Sequence, residues 1–190
     1  MLAKAILQFL LATIFYFALS YPTMEAAITF ECQRDFFKFK KFPWAVPIAN
    51  IIPISAILIR IWSHNMTAIH IDRAAVMYIL KAIVQFVTIV PAVDGTDQCI
   101  NRGLLGIVLN FGNCADMMFS GHTAMTYIMA PDHYKWIFII PVAITLVLGE
   151  MHYTSDIIIG IIVASWITKV ICPSDQQQEQ HIHTKIRLIV

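Results

Sequence analysis

Two short stretches hold the residue types that can move a phosphoryl group. One is Cys114-Ala115-Asp116-Met117-Met118-Phe119-Ser120-Gly121-His122-Thr123; the other is Glu150-Met151-His152-Tyr153-Thr154-Ser155-Asp156. Ser120 is a good helix N-cap, and Gly121 lets a helix N-terminus come close to a ligand. Unpaired amides and the positive helix end make such a turn favourable for phosphate. His122 falls in the first turn, within reach of a group bound there. His152 and Asp156 stand four apart, on one face if the segment is helical. A carboxylate there holds one imidazole nitrogen and leaves the other for substrate. Two histidines with one orienting carboxylate suit transfer through a phosphohistidine: one imidazole attacks phosphorus and the other protonates the departing oxygen. Plainer readings compete. These residues also suit interfacial positions that cap helices and pack against headgroups. His122, His152, Asp116, Asp156 and Glu150 could alternatively supply zinc ligands. No His-Glu-x-x-His or Cys-x-x-Cys accompanies them, so neither a metal nor any other cofactor is expected.

The elements that must position these groups are apolar. A hydrocarbon core of about 30 Å takes roughly 20 helical residues. Six stretches approach that length: residues 2–20, 45–62, 74–93, a stretch just after Ser120, 136–149 and 157–172. The fourth is short, because Gly121 to Pro131 cannot span alone and needs the preceding 104–111 segment or a thinned, tilted geometry. Pro47 and Pro53 predict a kink in the second. The first span also fits a secretory signal peptide, with Lys4 ahead of an apolar run and a small-x-small triplet at Ala18-Leu19-Ser20. The expected fold is an all-α integral membrane bundle of six transmembrane helices, with the active site at the lumenal or exoplasmic face. Residues 1–172 would form the catalytic domain, its motif-bearing core at 74–170, and residues 173–190 a polar cytosolic tail.

Composition agrees. Of 190 residues, 58% are hydrophobic and 13% charged, and mean hydropathy is +0.71, whereas soluble chains carry about 25% charged residues. A net charge of +1 gives no electrostatic reach for nucleic acid. With both termini in the cytosol, Lys4, Arg60, Arg73, Lys135, Lys169, Lys185 and Arg187 lie inside, against Arg34, Lys38, Lys40, Lys41 and Arg102 outside, which the positive-inside rule weakly favours. The Asn65-Met66-Thr67 sequon is then cytosolic and unused. Cys99 and Cys114, with Cys32, share the predicted lumenal side, where a disulfide and a reduced pair are equally open.

The two histidine stretches resemble the sphingomyelin synthase family, within the superfamily of lipid phosphatases and phosphotransferases that includes type 2 phosphatidic acid phosphatases. The family's Cys-Gly-Asp-x3-Ser-Gly-His-Thr motif stands here as Cys114 to Thr123, with Ala115 for glycine. Its His-Tyr-Thr-x-Asp-Val/Ile motif stands as His152 to Ile157. A Thr-Met-Tyr-Val-Thr-x-Leu-Pro stretch preceded by arginine is matched loosely by Lys81 through Pro91, with lysine for arginine. That exchange replaces a bidentate fork by a point charge. The Lys-x6-Arg-Pro clamp of the phosphatases is absent.

The resemblance implies a transferase that moves phosphocholine or phosphoethanolamine from phosphatidylcholine or phosphatidylethanolamine to ceramide and releases diacylglycerol. It implies His122, His152 and Asp156 as catalytic residues, with either histidine able to be the nucleophile. Asp116, Ser120, Gly121, Tyr153, Glu150 and Lys81 would contact substrate. Asp116 and Glu150 could receive the headgroup ammonium, with Phe119 and Tyr153 as aromatic faces or as plain interfacial packing. Partners would be lipids and the membrane, in the Golgi, endoplasmic reticulum or plasma membrane, with oligomeric state open. A lipid phosphate phosphatase or headgroup hydrolase, and an inactive lipid-binding membrane protein, remain alternatives.

Overall fold

In a computed structural model, residues 2–27, 42–88 and 119–171 are described, and every regular element among them is helical. These are α1 (Leu2–Ala27), α2 (Ala45–Trp62), α3 (Ala68–Val87), α4 (Gly121–Met129), α5 (Lys135–Leu148) and α6 (Thr154–Trp166). A 3-10 turn at Asp132–Tyr134 leads into α5, and α6 runs on as a π-helical segment, Ile167–Ile171. Asp116, all four cysteines and the polar tail lie outside the described residues.

α1 and α2 each carry an 18-residue stretch long and apolar enough to cross a membrane, Leu2–Leu19 and Ala45–Trp62. α3 has 20 residues but includes Asp72, Arg73 and Lys81. α4 and α5 have nine and 14 residues, below the roughly 18–20 that a straight span needs, whereas α6 reaches that range only with its π-helical continuation. Six spans are therefore not given by helix lengths alone.

α2 shows how the bundle is assembled. Its buried residues are Ala45, Ala49, Pro53, Ala56 and Arg60, spaced by three and four, which is one helical face. Small side chains there let α5 and α4 approach closely; Ala49 packs with Val142, Leu146 and Ile157. The opposite face of α2 exposes Ile51, Leu58 and Ile61, and α5 and α6 likewise expose Ile137, Ile140, Ile144, Ile158 and Ile162. The core is apolar as well, with Met77, Ile139 and Leu146 buried, so the outward faces are far more apolar than those of a soluble bundle while several charged groups turn inward.

α3 contributes inward polar groups, its buried residues including His70, Arg73, Lys81 and Gln85. α3 begins at Ala68, earlier than the expected 74, because Thr67 caps it and these charged side chains face neighbouring helices rather than solvent. α1 lies along α3, where Tyr16 is fully buried with its ring centroid 5.4 Å from that of Tyr78.

α4 sits at the centre. All nine of its residues are buried, and it touches α2, α3, α5 and α6. Its C-terminal end is held by Arg60, whose Nε and a terminal nitrogen donate to the carbonyls of Met129 and Ala130, each at 2.6 Å. The other terminal nitrogen meets His70 Nε2 at 2.6 Å. Arg60 is thus a buried cap for another helix, only 6% exposed. A helix leaves its last carbonyls unpaired, and a cationic fork supplies charge-assisted donors to them.

Candidate active site

The N-terminal end of α4 is fixed by three hydrogen bonds. Ser120 caps it: the Thr123 backbone N–H donates to Ser120 Oγ at 3.2 Å and the Thr123 hydroxyl at 3.1 Å. The Ser120 N–H itself donates across to the Asp156 carbonyl in the first turn of α6, at 2.9 Å. This backbone bond joins the two histidine stretches directly. It requires the Ser120 peptide to lie against Gly160, one turn further along α6; a Cβ on Gly160 would stand 2.9 Å from the Ser120 carbonyl oxygen and 3.4 Å from its nitrogen. With Ser120 and Thr123 engaged, the amides of Gly121 and His122 are the first-turn donors left without an acceptor among the described residues.

His122 and His152 face each other with ring centroids 6.0 Å apart and planes at 67°. Each is only 4% exposed. His152 Nδ1 lies 3.6 Å from Asp156 Oδ2, an ion-pair approach slightly longer than a hydrogen bond. The same carboxylate oxygen accepts from the Tyr153 backbone N–H at 3.0 Å, and Ser155 Oγ approaches Oδ1 at 3.4 Å. Asp156 thus closes the start of α6 while presenting negative charge to the His152 ring. His152 Nε2 is the ring nitrogen not turned to that carboxylate. His122 Nε2 meets Asn50 Oδ1 of α2 at 2.7 Å, and its Nδ1 is buried with no hydrogen-bond partner among the described residues.

Lys81 reaches the same turn from α3. It is 2% exposed, and its Nζ donates to the Phe119 carbonyl at 3.4 Å. The ammonium lies against Gly121 so closely that a Cβ there would collide with it. It also sits 5.6 Å from the Phe119 ring centroid, so a cation of the chain's own occupies the reach of that ring. Lys81, Gly121 and His122 border a cavity of about 20 Å³ closed by Pro53, Ile57, Met77 and Met125, room for about one water.

The structure therefore gathers His122, His152, Asp156, Ser120, Gly121, Tyr153 and Lys81 around the start of α4. Glu150 is different. It is half-buried in the turn after α5 at φ 53°, and its N–H donates to the Val147 carbonyl at 3.1 Å. Its carboxylate makes no hydrogen bond or ion pair among the described residues. Among those residues no group of three or more His, Cys, Asp or Glu side chains converges as a metal site would require.

Sequence reading passed over Asn50 and Gly160. The available signals were an amide inside the apolar 45–62 run and a glycine inside a helix, both costly without a reason.

No family model matches the chain. A curated relative, the phosphatidylinositol:ceramide inositolphosphotransferase of Leishmania major, is 28% identical over an alignment of 149 residues. The alignment covers 66% of this chain and 41% of the relative, so the chain spans well under half of that protein's length. The relative is, by its name, a transferase acting on ceramide and a phospholipid.

Proposed function

We propose that this chain is a membrane-embedded ceramide phosphotransferase. It moves the substituted phosphate headgroup of a glycerophospholipid onto the primary hydroxyl of ceramide. The observation that carries the proposal is the His122–His152 pair at the N-terminus of α4, with Asp156 behind His152. The similarity to a ceramide inositolphosphotransferase supports the acceptor class. The outward apolar faces of α1, α2, α5 and α6 support a membrane setting. Six spans, with the site toward the lumenal or exoplasmic side, form part of the same proposal.

In the first half-reaction His152 Nε2 attacks phosphorus, and the bond from phosphorus to the diacylglycerol oxygen breaks. His122 gives that oxygen its proton, and diacylglycerol leaves. Asp156 stabilises the positive charge on the His152 ring. In the second half the ceramide hydroxyl attacks phosphorus and loses its proton to His122. The nitrogen–phosphorus bond breaks and His152 is restored. Charge growing on the phosphoryl oxygens meets the Gly121 and His122 amides, the positive end of α4 and the Lys81 ammonium. These donors already face the turn, so little reorganisation is needed during the reaction. Lys81 takes the place of an arginine in the resemblance and serves as a compact charge rather than a fork. Asp116 and Glu150 are the proposed carboxylates for a headgroup ammonium, although Glu150 is not drawn to the ring pair in this structure.

The donor headgroup is phosphocholine or phosphoethanolamine on the sequence resemblance, and the relative's name adds inositol phosphate. Purified protein in vesicles with fluorescent ceramide, tested separately with phosphatidylcholine, phosphatidylethanolamine and phosphatidylinositol, decides both class and donor. The expected result is one new phosphorylated-headgroup ceramide plus diacylglycerol, both absent with His152→Ala. Diacylglycerol formed while ceramide stays untouched would instead make the chain a headgroup hydrolase.

A further inference from the structure

We infer that Asn50 of α2 is a positioning residue that confines proton exchange by His122 to Nδ1. The inference rests on the proposed transferase chemistry for its kinetic consequence, but its structural content stands apart from it. Asn50 Oδ1 can only accept, so the 2.7 Å contact requires His122 Nε2 to donate. A neutral imidazole with its proton on Nε2 carries its lone pair on Nδ1. That nitrogen is the buried one with no partner among the described residues.

The placement follows from the fold. Asn50 is half-buried, next to Ala49 at the edge of the buried face of α2, where small residues admit α4 and α5. An amide in a largely apolar helix is expensive unless hydrogen-bonded, and its carbonyl is used on His122. His122 cannot drift, because its own carbonyl accepts from the Thr126 hydroxyl at 2.7 Å and the next residue is tied to the Ser120 cap. Ring rotation is all that remains, and the Asn50 contact removes it.

The role is specific to a proton shuttle. The Nε2–H is present in both the neutral and the cationic ring, so the amide oxygen stays engaged through the cycle. Nδ1 alone gains and loses the proton: it protonates the diacylglycerol oxygen in the first half-reaction and accepts the ceramide hydroxyl proton in the second. No net proton is consumed. The titratable groups facing His122 are His152, with Asp156 behind it, and Lys81 from α3. A neutral amide therefore orients the ring without adding another charge to that set.

Two substitutions and one spectroscopic measurement test this. Asn50→Leu is expected to lower kcat about 10–100-fold with KM changed less than threefold, the range for lost orienting partners. Asn50→Asp keeps an acceptor on Nε2 and is expected to recover much of that loss. It would also move the His122 limb of the pH–rate profile alkaline by about 1–3 units, because a carboxylate favours the charged ring. A residue-50 side chain turned away from the ring would leave the limb where it was. Independently of any turnover, 15N spectra of histidine-labelled protein in nanodiscs, assigned with His122→Gln, are expected to show His122 as the Nε2–H tautomer. Parental kcat and pH profile in Asn50→Leu, or an Nδ1–H tautomer in the parent protein, would overturn the inference. Should Asn50→Leu fail to fold, the parent spectrum and the Asn50→Asp profile still decide it. Should the parent show no transfer, the proposed function falls while the tautomer reading stands or falls by itself.

Discussion

Replacing Gly160 with alanine should impair the site through the Ser120 backbone rather than through either histidine. The added Cβ would stand 2.9 Å from the Ser120 carbonyl oxygen, whereas comfortable contact begins near 3.4–3.5 Å, so the Ser120 peptide must retreat by roughly half an ångström. The obstruction is backbone, which cannot swing aside as a side-chain end can. The 2.9 Å bond from Ser120 N–H to the Asp156 carbonyl stretches by a similar amount. Losing it costs about 0.5–1.5 kcal/mol, and overpacking about 1–3 kcal/mol. Alanine returns about 1 kcal/mol through its better helix propensity. The net expectation is about 2 kcal/mol of destabilisation. The Ser120 turn carries His122, and α6 carries Asp156, so the same displacement separates the reacting groups. A 1 Å misplacement can cost about 100-fold, which makes roughly tenfold in kcat a fair figure for half that shift. Thermal unfolding in detergent and headgroup transfer in vesicles would be measured on Gly160→Ala beside Ile162→Ala, an outward-facing control on the same helix. If Gly160→Ala kept its melting temperature and turned over within twofold of the parent, the close packing of α4 on α6 would not be what holds the pair in register.

Two further outcomes follow from the ends of α4. Ser120→Ala removes the acceptor for both Thr123 donors and should cost about 1 kcal/mol, as lost N-caps do, visible as a lower melting temperature. Arg60→Met keeps the bulk but leaves the Met129 and Ala130 carbonyls without their cationic donors. It should lower stability by about 3 kcal/mol, since each such bond is worth about 1.5–3 kcal/mol, while KM of the surviving folded fraction stays near parental.

What could be read from sequence was what depends on residue type and short spacing. The bounds of α2 match the apolar run, which Pro53 and Asn50 interrupt without ending. Ser120, Gly121 and His122 could be read as a helix start because cap chemistry is local. His152 and Asp156 could be paired because four residues is one helical turn. α3 was placed too late because His70, Asp72 and Arg73 count as polar in a hydropathy scan, although His70 and Arg73 are buried against other helices. Asn50 had no partner at any fixed spacing; its meaning depends on α2 and α4 lying side by side. Gly160 has no local signal of its purpose, because the Ser120 peptide that packs on it comes from a distant part of the chain. Arg60 entered the sequence reading only as a charge in the positive-inside tally, and only the fold shows which carbonyls it serves.

α4 is short and tied at both ends by atoms that belong to other helices: the Asp156 carbonyl at its start and Arg60 at its finish. A nine-residue rod held this way has no slack. Inserting one residue would turn everything beyond it by about 100° and lengthen it by about 1.5 Å, so one mooring could be kept only by losing the other. Exchanges of side chain within α4 should be easier to absorb than changes in its length. The ten-residue interval from Ser120 to Ala130 is therefore a ruler built into the protein, and the two histidines meet because that ruler matches the distance between its supports.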